Sequence, residues 1–362
     1  MGPRTLAEAV SSRDNSFDIL RFAAATLVLL YHCYALSGGD DPVQPLTGLT
    51  LGTLGVLTFF GISGYLVTRS WLHDSRVGPY LIKRGLRLMP GLMVAALLAA
   101  FVVGPLMSQL SLSAYLSDPT PYTYVVRQLA LITFNPHLPG VFSDNPVPHV
   151  VNGSLWTIPL EACCYAAVLV AGLLGVLRRP AVLAALLAVV CVAMLVAAAP
   201  DDAHGKAPTG IDIFLSGLRP CGAFLAGALL WVVHERVPRH PALAAAAAAL
   251  FLIPVSTNVH SAIDIVTVPY LSVLAGSLRP GRLALLTGFG DVSYGVYIYA
   301  YPLQQALVDA FPGIVPGALF GASVPAAWFA GLLSWRLVEY PALRLKRRLD
   351  SKGRTAPAPA PT

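Results

Sequence analysis

Long apolar runs dominate the chain and are separated by short polar segments. The runs approach the roughly 20 residues that a helix needs to cross a bilayer, and they lack the charged face of helices in soluble proteins. We therefore predict an all-α, polytopic membrane helix bundle of about ten transmembrane helices. The predicted spans are 17–38, 50–72, 88–110, 154–177, 181–200, 213–233, 241–258, 262–278, 283–308 and 316–338.

The composition supports this class. Of the 362 residues, 56% are hydrophobic and 12% are charged, whereas soluble proteins carry about 25% charged residues. The net charge of +6 would suit nucleic acid, but in a membrane protein it indicates positive charge at one membrane face, so we predict no nucleic-acid partner. The apolar run from Phe17 is longer than that of a secretory signal and lacks a clear cleavage site, so we expect it to remain as the first membrane helix.

The distribution of Lys and Arg predicts the orientation in the bilayer, because both concentrate in cytoplasmic segments. With the N-terminus inside, 21 of the 24 Lys and Arg residues fall at the inner face, and Arg127, Lys206 and Arg219 stay outside. We therefore predict cytoplasmic termini, an external segment at about 111–153, a single membrane domain over residues 1–350 and a disordered cytoplasmic tail over 351–362.

The five cysteines form no CxxC pair and lie in or beside apolar runs. Free cysteine packs as a small apolar residue, so the sequence predicts neither a disulfide framework nor a metal site.

Ionisable residues inside membrane helices are costly and are candidates for function. The first helix carries Arg21 and His32, eleven residues apart, which is about three turns and places both on one face, about 16 Å apart along the axis. They could line one path through the protein. Alternatively, Arg21 snorkels to the surface and His32 only bonds to a neighbouring helix.

A basic segment, Lys83-Arg84-Gly85-Leu86-Arg87, stands where we predict the third helix to begin. Residues three apart on a helix are neighbours, and a phosphate matches the geometry of two guanidinium groups. The segment therefore predicts a phosphate site or, alternatively, an anchor to lipid phosphates.

The predicted fourth helix opens after Asn152 and Ser154, either of which can cap it, and it carries Trp156 at its interface. Glu161 lies inside this span and needs a partner, either Tyr165 at i+4 or a base on another helix. A structural ion pair is the alternative to a functional role.

Two further segments are unusual for membrane spans. Phe59-Phe60-Gly61-Ile62-Ser63-Gly64 is not a nucleophile elbow, because position 65 is Tyr instead of Gly. Its small residues favour close helix packing. Four tyrosines and two glutamines between residues 294 and 305 indicate either a polar cavity lining or a hydrogen-bonded seam between helices.

Together these segments resemble acyltransferase family 3, the membrane O-acyltransferases of bacterial surface polysaccharides and some secreted small molecules. The resemblance runs from about Phe17 to Pro341. The matching motifs are Arg-x10-His at 21–32, Phe-Phe-x-x-Ser-Gly at 59–64, Arg-x-x-Arg at 84–87, Ser-Leu-Trp-x4-Glu at 154–161 and Ser-Tyr-x-x-Tyr at 293–297.

The resemblance implies an acyl-coenzyme A donor, with acetyl as the expected group, no permanently bound cofactor, a carbohydrate acceptor and the bacterial inner membrane. It implies that His32 is the catalytic base and that Glu161 orients the imidazole or a sugar hydroxyl. Coenzyme A phosphates would bind Arg84 and Arg87, with Arg21 and Lys83 as helpers. The remaining matched residues would line the site: Phe60, Ser63, Gly64, Trp156, Tyr165, Tyr294 and Tyr297.

Two departures from the family qualify this picture. Many relatives have a second His where this chain has Ala300, so its role is absent or is taken by Tyr299 or Tyr301. Many relatives also carry a soluble C-terminal domain; here we expect the chain to act alone or to pass its product to polysaccharide machinery.

Two other functions remain as alternatives. The chain could be a transporter or flippase for a lipid-linked sugar, or a non-catalytic scaffold in an export complex.

Overall fold

The computed structural model describes residues 5–6, 15–132, 137–196, 210–250, 253, 257–281 and 290–345. Helices occupy all ten predicted positions. They are α1 (Phe17–Leu36), α2 (Leu51–His73), α3 (Val77–Leu98), α4 (Thr157–Leu173), α5 (Pro180–Val196), α6 (Gly210–Val233), α7 (Pro241–Ala249), α8 (Thr257–Gly276), α9 (Ser293–Ala310) and α10 (Pro316–Ser334).

The described helices form a multi-pass membrane bundle. Seven are long and apolar enough to cross a bilayer: Phe17–Leu36, Leu51–His73, Val77–Met107, Gly153–Leu173, Ser216–Val233, Asn258–Gly276 and Pro316–Leu345. Helix α5 is apolar but shorter, with 17 residues. The all-α membrane class is therefore confirmed, while the count of ten crossings stays a prediction. The predicted tail, 351–362, lies outside the described residues.

Helix α3 begins at Val77, eleven residues before the predicted start of this span. Lys and Arg are good helix formers, so the basic segment continues the helix. The same span runs on through a π-helical turn, Ala99–Val103, to Met107. Arg84 and Arg87 are consequently held on a regular helix, well after its first turn.

The segment after α3 folds back against the end of that helix. It contains two short helices, Leu112–Ser117 and Thr120–Leu129. Tyr115 is buried and its hydroxyl donates to the carbonyl oxygen of Ala100 at 2.8 Å, inside the π turn. This bond satisfies a polar group that the irregular helix leaves without its usual partner.

Helix α2 lies at the centre and packs against α1, α6 and α8. A Cβ added at Gly64 would collide with the carbonyl oxygen of Phe224, and one at Gly227 would collide with that of Gly61. Glycine is thus required for the close approach of α2 and α6.

Helices α1 and α9 run parallel. Arg21 approaches Asp291 near the start of both helices, and the His32 ring meets the Tyr301 ring further along. The face of α1 that the sequence predicts to carry Arg21 and His32 therefore packs against α9. The basic end of the bundle, defined here as the end where α1, α3 and α9 begin, contains the candidate site.

Candidate functional site

A cavity of about 440 Å³ opens within the basic end of the bundle, a size typical of small-molecule sites. Side chains from α1, α2, α3, α4 and α9 line it, together with Asp291, two residues before α9, and Leu343. Ten of the thirteen residues that the sequence predicts for the site lie in this lining: Arg21, Phe60, Ser63, Lys83, Arg84, Arg87, Glu161, Tyr165, Tyr294 and Tyr297.

The charges of the lining do not balance. It contains four basic side chains, from Arg21, Lys83, Arg84 and Arg87, but two carboxylates, from Glu161 and Asp291. Two carboxylates outside the lining also lie near these cations: Asp18 is 3.6 Å from Arg21, and Asp74 is 3.8 Å from Lys83. Positive charge in an enclosed site attracts anions more strongly than at an exposed surface, because water screens it less. The cavity is therefore suited to a polyanionic ligand.

Arg87 is held in place by a carboxylate. Its Nη2 atom donates to Asp291 Oδ2 at 2.7 Å, and Arg21 Nη1 lies 3.5 Å from the same oxygen. Asp291 Oδ1 accepts a hydrogen bond from Ser293 Oγ at 2.5 Å. Asp291, just before α9, thus links the first turns of α1 to the middle of α3 and orients two of the four cations.

Arg84 has different surroundings. Its guanidinium lies over the ring of Tyr165, 5.4 Å from the centroid, and 5.9 Å from that of Tyr80. Within the described residues no carboxylate lies at ion-pair distance from Arg84, and its buried Nε has no hydrogen-bond partner. Buried donors are normally paired, so Arg84 is the lining cation most open to an anionic ligand.

Glu161 has the partner that the i, i+4 spacing predicts. Its Oε1 atom accepts hydrogen bonds from the Tyr165 hydroxyl and from Ser63 Oγ, the latter at 3.2 Å. The turn before α4 is fixed by Asn152, whose Oδ1 caps the Ser154 amide while its Nδ2 donates to the Ile298 carbonyl at 2.8 Å. These contacts hold Glu161 at the wall of the cavity.

Two tyrosines of α9 form the opposite wall. The Tyr297 hydroxyl and Thr157 Oγ1 are 2.8 Å apart, and the Tyr297 ring meets Phe59 edge to face at 5.7 Å. The Tyr294 hydroxyl donates to the Leu88 carbonyl at 2.9 Å. The tyrosine-rich segment is thus both a cavity lining and a hydrogen-bonded seam, the two alternatives that the sequence left open.

His32 lies outside this lining. Its ring meets Tyr301, one turn after Tyr297 on α9, with centroids 4.9 Å apart and an angle of 83°. Its Nδ1 atom is buried without a hydrogen-bond partner. The described contacts of Glu161 do not include His32, so the predicted orientation of the imidazole by this carboxylate has no support here.

Two other predicted lining residues also lie outside the cavity lining. Gly64 packs against α6 instead. Trp156 ends the 3-10 turn before α4 and is partly exposed.

Some residues of the site were not assigned from the sequence. Asp291 was detectable, because an acid two residues before the Ser-Tyr motif stands at the same membrane face as the predicted cations. Glu339 lies outside the cavity lining, beside Gly91 and Tyr294, and was harder to find. It is 2% exposed, and Oε1 accepts from Ser334 at 2.8 Å and lies near Gly91 and Tyr294. A π-helical turn, Trp335–Glu339, sets its direction, and such a shift of register is not visible in the residue pattern.

Comparison with known proteins agrees with the motifs. The family model Acyl_transf_3, described as an acyltransferase domain, matches residues 14–335. An "O-acetyl transferase" of Shigella phage Sf6 is 29% identical over 333 residues, covering 90% of this chain and 95% of that protein. "Nodulation protein 10" of Rhizobium leguminosarum bv. viciae is 28% identical over 379 residues, covering 97% and 99%. No solved structure matches the chain significantly.

The family model spans most of the helical bundle and all five motifs. The chain therefore belongs to acyltransferase family 3.

Proposed function

We propose that the chain transfers an acetyl group from acetyl-coenzyme A to a hydroxyl group of a polysaccharide, an oligosaccharide or a glycosylated small molecule. Family membership makes the chain an acyltransferase, and the name of the phage Sf6 relative supports O-acetyl transfer. The observation that carries the choice of donor is the excess of cations in one cavity, with Arg84 lacking a carboxylate partner in the described residues.

In this proposal the phosphates of coenzyme A bind at the basic mouth of the cavity. Arg84 binds one phosphate directly, since its guanidinium has no competing carboxylate, and Lys83 is its neighbour in the lining. Arg87 and Arg21 add positive charge but remain tied to Asp291. The pantetheine arm then runs along the lining toward Tyr297, and Glu161 accepts a hydrogen bond from a substrate N–H or O–H group.

The chemical step needs a base, and His32 is our candidate. A ring nitrogen of a neutral imidazole can take a proton and release it again. The acceptor oxygen attacks the thioester carbonyl carbon while His32 takes the hydroxyl proton. The C–S bond then breaks, and the proton passes to the departing thiolate. Because His32 lies beyond Tyr297, the thioester must pass the Tyr297–Thr157 contact to reach it.

We further propose that the protein lies in a bacterial cytoplasmic membrane with both termini in the cytoplasm, so that the basic cavity opens where acyl-coenzyme A is made. Cysteine labelling tests this orientation in a Cys163→Ser background, because Cys163 is an exposed thiol. Asp144→Cys and Ser75→Cys form a matched pair, since both residues are exposed and lie near opposite ends of the bundle.

We expect an impermeant maleimide to label Asp144→Cys in intact spheroplasts and to label Ser75→Cys only after lysis. The opposite pattern would invert the orientation and place the cavity on the wrong side for the donor.

The reaction itself is tested by glycan analysis. Mass spectrometry of surface glycans and secreted glycosides from cells with and without the gene should show loss of an acetyl group from a saccharide hydroxyl. Purified protein should bind acetyl-coenzyme A. Unchanged acetylation, together with loss of saccharide transport across the membrane, would contradict the proposal and favour a transporter.

A further inference from the structure

We infer that Tyr301 is the positioning residue that sets the orientation of the His32 imidazole. The inference rests on the proposed function, because it assumes that His32 is the base. It assigns the role that the sequence left open between Tyr299 and Tyr301.

The His32 ring lacks the usual means of orientation. A catalytic imidazole is commonly fixed by a hydrogen bond from the nitrogen that does not react. Here Nδ1 is buried and has no hydrogen-bond partner. The ring instead meets Tyr301 edge to face, with centroids 4.9 Å apart and planes at 83°, which is a favoured aromatic geometry. The ring of Tyr31, the preceding residue of the chain, lies 5.6 Å away at 53°. Tyr301 therefore provides the described aromatic contact that reaches His32 from another helix.

Tyr301 also packs against the turn before α4, on Gly153. The side chain is 6% exposed. A Cβ added at Gly153, in the turn before α4, would lie 2.6 Å from Tyr301 Cε2 and 2.8 Å from Cζ. The neighbouring Asn152 fixes this turn to α9 through its bond to the Ile298 carbonyl. The Tyr301 ring thus lies between His32 on α1 and the turn before α4.

Within the described part of the chain, no hydrogen bond or ring contact joins His32 to the neighbours of Tyr301 on α9. The hydroxyl of Tyr299 lies 3.3 Å from Ser334 Oγ on α10. Ala300 is 2% exposed and offers a methyl group only. Successive residues of a helix point about 100° apart, so the three side chains face different neighbours. Tyr301 alone among them makes a described contact with His32.

The hydroxyl of Tyr301 makes no hydrogen bond within the described residues, so the ring should carry the effect. Tyr301→Phe keeps the ring and should stay within about twofold of the wild-type kcat. Tyr301→Leu removes it, and a misplaced catalytic group costs up to about a hundredfold. We expect kcat to fall by about tenfold to a hundredfold in this variant, with the KM for acetyl-coenzyme A unchanged.

The assay uses the full chain in nanodiscs, radiolabelled acetyl-coenzyme A and the native membrane glycan fraction as acceptor. Tyr299→Leu is the matched control: it removes an equal side chain two residues away and should leave kcat near wild type. If Tyr301→Leu does not fold, Gly153→Ala takes its place, because the added methyl group pushes the intact Tyr301 ring toward His32 and should lower kcat without changing the KM for the donor.

A wild-type kcat in folded Tyr301→Leu, or an equal loss in Tyr299→Leu, would overturn the inference. An equal loss of kcat in Tyr301→Phe and Tyr301→Leu would also contradict it, since the hydroxyl and not the ring would then be responsible. The proposed function fails separately, when folded His32→Gln retains wild-type turnover. An inactive His32→Gln beside a fully active Tyr301→Leu would leave the function standing and remove only the role of Tyr301.

Discussion

Two groups of charged side chains lie inside the bundle and differ in how their charges are matched. In the basic cavity four cations face two carboxylates. Between α6 and α8, a second group pairs Arg219 with Asp264 through a hydrogen bond. The Asp264 side chain is fully buried and that of Arg219 is 18% exposed. His260 lies one helical turn before Asp264 and is also buried.

The difference separates a structural ion pair from a binding site. Arg219 Nε, like Arg84 Nε, is buried without a hydrogen-bond partner in the described residues. Arg219 and Asp264 nevertheless neutralise each other one to one, so the pair adds no net charge that would attract a ligand. In the cavity, Asp291 neutralises part of the charge of Arg21 and Arg87, while Arg84 keeps its charge unmatched beside open space. Net uncompensated charge, rather than charge alone, is what marks the cavity as a site for an anion.

The largest effect should be the loss of stability when the Arg219–Asp264 pair is broken. Asp264→Ala leaves the Arg219 cation buried without its carboxylate, and losing one partner of a buried pair costs about 3–5 kcal/mol. Thermal unfolding in detergent measures this. The double variant Arg219→Met with Asp264→Leu should recover most of the stability, because apolar residues often replace a buried pair without loss. A single variant as stable as wild type would show that the pair is not structural.

Arg84→Ala should weaken donor binding and leave the stability of the protein unchanged, the reverse of what we expect for the Arg219–Asp264 pair. It removes charge-assisted hydrogen bonds to a phosphate, each worth about 1.5–3 kcal/mol, so the affinity for acetyl-coenzyme A should fall by about tenfold to a hundredfold. Its stability should stay close to wild type, because no carboxylate of the described residues loses a partner. Isothermal titration and thermal unfolding of one preparation measure both quantities.

Arg87→Ala is the matched comparison for Arg84→Ala. It should weaken donor binding and also lower stability, because Asp291 loses its 2.7 Å partner. If Arg84→Ala unfolded more readily than Arg87→Ala while binding the donor normally, the distinction between the two arginines would be wrong.

Arg84→Lys should produce the smallest effect. The charge remains, but the planar fork that bonds a phosphate through two N–H groups is lost. We expect the affinity for acetyl-coenzyme A to fall by only about threefold to tenfold. An affinity as low as that of Arg84→Ala would mean that geometry alone governs binding, whereas an unchanged affinity would mean that charge alone does.

Much of the architecture was predictable because the length of an apolar run is a property of a single segment. The helix positions and the i, i+4 contact of Tyr165 with Glu161 follow from local spacing. The start of α3 was placed eleven residues too late, since basic residues that face an internal cavity resemble a polar loop in sequence. The hydrophobicity of a segment cannot distinguish a helix whose basic residues face a cavity from a polar loop.

The parts of the site that the sequence did not give depend on contacts between distant segments. Asp291 acquires its role only when α1 and α3 bring Arg21 and Arg87 to it. Glu339 depends on a π turn, and the choice of Tyr301 over Tyr299 depends on which helix each side chain meets. The sequence also does not reveal that Glu161 lies in the cavity lining whereas His32 lies outside it, because this depends on how the helices pack.

The most direct test of the account is acyl transfer by His32→Gln. Glutamine can hydrogen-bond but cannot accept a proton at neutral pH, so it separates a structural histidine from a base. We predict that the variant folds and binds acetyl-coenzyme A nearly as the wild type does, while its turnover in nanodiscs falls by about a hundredfold or more. A well-folded His32→Gln protein with wild-type turnover would contradict the proposed mechanism.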